Sequence, residues 1–131
     1  MGPEAASAGL PDLTAAELEA LLGEEERLVL VSFWSPRCEP CRELRRELEG
    51  LRARGEGVCR LVAVDVEREP EAALRHGVRE VPLLVFFKRG IELHRFRGGA
   101  LPASTRRLLE GTVGATSRSG PGPGRPGAGR P

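Results

Sequence analysis

The chain has 131 residues and a formal net charge of +1, room for one domain with its own core and too little for two. Glycine and proline are abundant at 17 and 11, but seven of those glycines and four of those prolines fall in the last 21 residues, so the preceding sequence reads as globular. That tail holds Arg118, Arg125 and Arg130 without an acid; the slightly acidic body offers no broad basic field to a nucleic-acid backbone, and the tail has no aromatics to stack on bases, which excludes nucleic acid as the expected partner.

Thr14-Ala15-Ala16-Glu17 is a capping box, and Leu18, Leu21 and Leu22 give the helix after it an apolar side that ends at Gly23 and the acids Glu24 to Glu26. Leu28 to Trp34 is short, continuous and apolar, the pattern of a strand buried on both faces, and Pro36 stops it. From Cys38 to about Arg54, Cys41, Leu44, Leu48 and Leu51 recur at helical spacing, with Pro40 in the first turn where a missing N–H costs little. Val58 to Val66 is a second buried strand, and Pro70 to His76 a short helix closed by Gly77. Val81 to Phe87 and Ile91 to Phe96 flank Lys88-Arg89-Gly90 as a hairpin, and Leu101 to Val113 makes a last helix.

The expected fold is α/β, a βαβ unit followed by a hairpin and a C-terminal helix, forming a mixed sheet flanked by helices. It has four strands, or a fifth irregular one near Ala8 to Leu10. The domain spans 12–113, preceded by a flexible segment 1–11 and followed by a disordered Gly/Pro/Arg-rich tail, 114–131, too poor in apolar residues to offset ordering entropy. No apolar run approaches the ~20 residues a bilayer requires, and Met1 to Leu10 lacks the basic and apolar regions of a secretory leader. A cytoplasmic protein that does not engage a membrane is expected.

The chemistry concentrates in Cys38-Glu39-Pro40-Cys41, placed between a buried strand and an amphipathic helix. At a helix N-terminus the free N–H groups and macrodipole favour the thiolate of Cys38, the form that attacks a disulfide. Cys41, three residues on, can resolve the mixed disulfide formed there. A zinc site is disfavoured, because tetrahedral zinc wants four ligands and no second C-x-x-C or His-x-x-x-His exists. Cys59, in an apolar strand, reads as a small buried hydrophobe.

Phe33-Trp34, Cys38-x-Pro40-Cys41, Asp65, Val81-Pro82, Lys88-x-Gly90 and Gly99 stand in an order and spacing that resembles the thioredoxin family over residues 12 to 113. The resemblance implies a thioredoxin fold, with Cys38 as nucleophile, Cys41 as resolving cysteine and a cis peptide bond before Pro82 facing the pair. It also implies a substrate groove lined by Trp34, Arg37, Val81, Pro82 and Gly99, with main-chain pairing at Val81.

Three departures from the family pattern bear on the site. Arg37 and Glu39 stand where Trp and Gly are usual and put opposite charges around the nucleophile. Ser32 and Leu61 replace a buried Asp and its accompanying Lys, a coherent joint loss because a buried carboxylate without its partner is costly. The proton of Cys41 then leaves through water or Glu39. Leu83 follows Pro82 where Thr is usual. Glu39, Pro40 and Ser32 are thus candidates for tuning the pair.

The expected function is thiol–disulfide exchange: a monomeric reductase of protein disulfides, with no bound cofactor or metal and electrons from a thioredoxin-reductase-like donor. A redox-inert binding module and an oxidase or isomerase using the same cysteines are the alternatives. His76 is expected to face the last carbonyls of its helix, His94 to be solvated on the outer hairpin strand, and neither to act as a base. Only Lys88 among the 20 basic residues is lysine, and Asn, Gln and Tyr are absent; arginine at any one position is therefore weak evidence of selected guanidinium chemistry.

Overall fold

A computed structural model describes residues 9–53 and 59–98, together with Ala103, Arg106 and Arg107. Within residues 9–98 the described elements run α1 (Ala15–Glu24), β1 (Leu28–Trp34), α2 (Glu39–Ala53), β2 (Cys59–Asp65), α3 (Pro70–Arg75), β3 (Leu83–Lys88) and β4 (Ile91–Arg97). Thr14 caps α1 as the sequence predicts. Its hydroxyl accepts the Glu17 backbone N–H at 3.1 Å, and the Glu17 carboxylate accepts the Thr14 N–H at 2.9 Å.

The strands form one mixed sheet in the order β2-β1-β3-β4. β1 runs parallel to β2 and antiparallel to β3, and β3 pairs antiparallel with β4. The central strand β1 has no face toward solvent, which explains its unbroken apolar run. Val29, Val31 and Phe33 pack toward α1 and α3, while Leu30 packs with Leu44, Leu48 and Leu51 of α2. Alternation along the strand places Ser32 on the α2 face between Leu30 and Trp34.

Among the described residues, the irregular fifth strand is reduced to a single parallel bridge between Asp12 and Ala63, later in the chain than Ala8 to Leu10, of which Ala8 lies outside them. Leu13 donates to the Ala63 carbonyl at 2.8 Å and Ala63 to the Pro11 carbonyl at 2.9 Å. Pro11 has no N–H to extend the ladder, so the pairing cannot propagate there. Leu10 is instead an apolar plug in the core beside α2.

The hairpin turns on two residues, Arg89 and Gly90, with φ of 53° and 81°, the two positive values that a tight turn matched to strand twist requires. Lys88 belongs to β3, opposite Ile91. Gly77 takes φ of 63° at the end of α3, the left-handed cap expected there. The predicted helix Leu101 to Val113 lies largely outside the described residues; Ala103, Arg106 and Arg107 are helical, and Arg106 pairs with Glu47 of α2. The tail 114–131 and residues 1–8 also lie outside them.

Candidate active site

Strand direction gathers one rim. Because β1 and β2 are parallel, the chain leaves both at the same edge of the sheet; because β3 is antiparallel to β1 and β4 to β3, the chain enters β3 and leaves β4 at that edge too. The cysteine turn, the β2–α3 loop, the Val81-Pro82 segment and the end of β4 are therefore neighbours, although Cys38 and Arg97 stand 59 positions apart in sequence.

Ser35-Pro36-Arg37 carries the chain from β1 to α2, with the Cys38 N–H donating to the Ser35 carbonyl at 3.1 Å. Cys38 occupies the cap position of α2. Its carbonyl accepts the first helical hydrogen bond, from Arg42 at 3.2 Å, and its sulfur accepts the Cys41 N–H at 3.2 Å. Sulfur thus stands where Ser or Asp oxygen caps other helices, in the positive field of the helix start. Pro40, second in the helix, leaves no donor unsatisfied.

Cys38 and Cys41 are joined as a disulfide, with Cα atoms 5.2 Å apart. The two sulfurs are not equivalent. Cys41 is only 1% exposed, whereas Cys38 is half-buried and reachable from solvent. Cys59, outside the disulfide, is buried in the α2-side core, as its apolar strand predicts.

The charges beside the pair do not face one another. Arg37 reaches across to Glu67 on the β2–α3 loop, while Glu39 pairs with Arg42 at 2.7 Å on the exposed side of α2. Cys41 lies on the buried side of the same helix, so the expectation that Glu39 serves as its proton acceptor is not supported by the placement of the carboxylate. Arg42 also donates to the Pro36 carbonyl at 2.8 Å and so ties the turn to the helix.

Glu67 and Ser35 are the site residues that sequence reasoning missed. The buried Ser35 hydroxyl and the Arg37 guanidinium both donate to the Glu67 carboxylate, and the Arg37 backbone N–H donates to Ser35 Oγ at 3.2 Å. These bonds hold the Glu67 carboxyl below the usual carboxylate range, the Ser35 hydroxyl contributing most. No local motif links residues 35 and 67; only the β1–β2 register, which sets Trp34 opposite Asp65, brings them together. Asp65 itself is buried and builds the loop, its Oδ1 accepting the Glu67 N–H at 2.9 Å.

Ser32 is 2% exposed, on the face covered by α2. Leu61 lies in the same apolar cluster, beside Leu30. The two departures thus form one patch in which hydrocarbon and a hydroxyl stand where an ion pair would otherwise be buried.

Trp34 is half-buried at the rim. Its Nε1–H donates to Asp12 at 2.8 Å, and the Arg45 guanidinium lies over its ring, 4.7 Å from the centroid. With Asp65 and Arg68 it lines a cleft of about 280 Å³. The Val81–Pro82 peptide bond is cis, as the resemblance implied, with Pro82 buried and Val81 half-buried at the start of β3. The Leu83 side chain that follows is buried toward α1 and α3. Gly99, the remaining predicted groove residue, lies outside the described residues.

His76 departs from its expected role. Its ring turns away from the end of α3 and meets Glu19 of α1, with Nε2 at 2.6 Å from Oε2, and packs tilted against Phe33 and edge-on to Phe87. The last α3 carbonyls accept backbone N–H groups instead, Ala72 O from His76 at 3.1 Å, Ala73 O from Val78 at 2.8 Å and Leu74 O from Gly77 at 3.3 Å, while the Arg95 guanidinium donates to His76 O at 2.7 Å and Gly77 O at 3.2 Å just beyond the helix. His94 is exposed on β4, as expected.

Among the described residues, no helix is long and apolar enough to cross a membrane. The sequence model of the Thioredoxin family matches residues 10–110. Thioredoxin M4, chloroplastic, of Arabidopsis thaliana is 30% identical over 109 residues, covering 83% of this chain and 54% of the relative. Thioredoxin 1 of Nostoc sp. is 35% identical over 82 residues, covering 63% of this chain and 77% of the relative. The crystal structure of Fasciola hepatica thioredoxin superposes with a TM-score of 0.64 at 36% identity, covering 76% of this chain and 91% of that one. The chain belongs to the thioredoxin family, and its vicinal cysteine pair at the start of α2 fits that family's thiol–disulfide oxidoreductase function.

Proposed function

We propose that the protein reduces protein disulfides, with Cys38 as nucleophile and Cys41 as resolving cysteine. The observation that carries the assignment of roles is the unequal exposure of the two sulfurs, with the accessible one capping α2. In the dithiol form the Cys38 thiolate attacks one substrate sulfur, the substrate S–S bond breaks, and one substrate thiolate leaves and takes up a proton. The Cys41 thiolate then attacks Cys38 Sγ and releases the second substrate thiolate. The substrate gains two electrons and the Cys38–Cys41 disulfide is formed; a separate dithiol donor of the thioredoxin-reductase kind restores the pair.

Trp34, Arg37, Val81, Pro82 and Gly99 form the substrate groove in this reading, with an extended segment pairing along the Val81 backbone. Glu39, Pro40 and Ser32 tune the pair through the start of α2 and the packing beneath it. The exchange runs on the two sulfurs alone, so no cofactor or metal is assigned. The protein works as a monomer in the cytoplasm or another reducing compartment, where Cys59 also stays reduced.

Trapping tests the proposal. Cys41→Ser in a cell extract collects substrates as mixed disulfides through Cys38, released by dithiothreitol and absent from the Cys38→Ser control. Recovery of no thiol-dependent adducts would overturn it. Titration of the pair against glutathione buffers separates a reductase from an oxidase, since 30 mV corresponds to about 1.4 kcal/mol for this two-electron couple.

A further inference from the structure

We propose that the rim around Cys38 selects acidic substrates: Arg68 and Arg79, on the two loops that flank the cysteine turn, favour polypeptide disulfides whose neighbouring residues are aspartate or glutamate. This rests on the reductase reading and names its substrate class.

Every acid on these loops is already engaged. Asp65 accepts backbone N–H groups of its own loop, and Glu67 is held by Ser35 and Arg37. Glu69 accepts the Ala15 N–H at 2.9 Å at the start of α1. Glu80 pairs with Arg97 at 3.0 Å, and Glu39 pairs with Arg42. Arg68 and Arg79 are exposed, and neither side chain has an ion pair or hydrogen bond among the described residues. On α3, just beyond the loop, Glu71 and Arg75 balance in charge. The rim therefore carries two uncommitted cations and, on the loops themselves, no uncommitted anion.

Topology sets the two cations on opposite sides of the nucleophile. The loop bearing Arg68 leaves β2, on one side of β1, and the segment bearing Arg79 leads into β3, on the other. Each lines a concavity. Arg68 shares the larger cleft with Trp34 and Asp65, where the remaining acid, Asp12, is held by Arg45 at 2.9 Å. Arg79 shares a cleft of about 130 Å³ with Glu80, Leu83 and Arg97. Arg79 lies two residues before Val81, along which an extended substrate segment would pair. An incoming carboxylate meets a cation there without a local competitor, whereas an incoming ammonium meets only carboxylates already satisfied.

Two peptides of equal length, each closed by one disulfide and flanked by either glutamates or lysines, test this with the full chain. At low salt the acidic peptide should show a kcat/KM about two- to fivefold higher than the basic one, the size expected of exposed ion pairs. The preference should shrink at high salt as the charges are screened. In the Arg68→Glu, Arg79→Glu double variant it should vanish or reverse, with a far-UV circular dichroism spectrum and urea midpoint like the parent's showing that the variant is folded. No preference at low salt, or a preference the double variant leaves intact, overturns the inference while leaving the reductase reading in place. Failure of the parent chain to reduce either peptide overturns the reductase reading and this inference with it.

Discussion

The Arg37 guanidinium closes on Glu67 across 30 residues of sequence, with Nε at 3.3 Å and Nη2 at 3.1 Å from the same carboxylate oxygen. The other oxygen takes the Ser35 hydroxyl. The turn that presents Cys38 is thereby stapled to the loop leaving β2, and the staple is strongest while Glu67 is ionised.

Folding lowers the Glu67 pKa below its ordinary value of 4.5. A depressed carboxylate contributes stability that is present above the unfolded pKa and is lost as pH falls through the folded one. Glu67→Gln should therefore lower the urea midpoint at neutral pH, with the difference from the parent shrinking in acid. A deficit equal at both pH values would show that the carboxylate's charge is not what holds the turn.

Ser32→Asp places a carboxylate under α2, where Leu61 offers no ammonium to pair with it. Resolution by Cys41 should accelerate, raising turnover and giving it a pH dependence between pH 6 and 8. Burial raises the pKa of the new carboxyl, so the variant should lose stability as pH rises. Turnover that is unchanged across that range would remove Ser32 from the list of groups that set the rate.

Trp34 is the only tryptophan in the chain, and Arg45 covers its ring while donating to the Leu10 carbonyl at 2.7 Å. Arg45→Ala should shift the Trp34 emission and loosen the Gly9 to Leu13 segment, read together by fluorescence and by amide exchange at Leu13. An unchanged spectrum would mean that the guanidinium does not shape the indole's surroundings.

Thr14→Ala removes the cap hydroxyl from α1. The expected loss is about 1 kcal/mol, seen as a lower denaturant midpoint with an unchanged slope.

The α/β order, the capping box, the left-handed Gly77 and the tight hairpin were legible in sequence because each depends on contacts within a few residues. The Cys38-Glu39-Pro40-Cys41 pair was legible for the same reason: a proline-bearing helix start after a buried strand is a local pattern. The Glu67 staple, which neutralises Arg37, and the turn of His76 toward Glu19 were not. Each joins side chains on different elements, and those pairings follow from strand register and packing that no local pattern encodes. Sequence by itself determined which atoms can exchange disulfides. Tertiary structure decided which sulfur faces solvent and which charges around it remain free to meet a partner, because both depend on what the other loops of the rim bring against the cysteine turn.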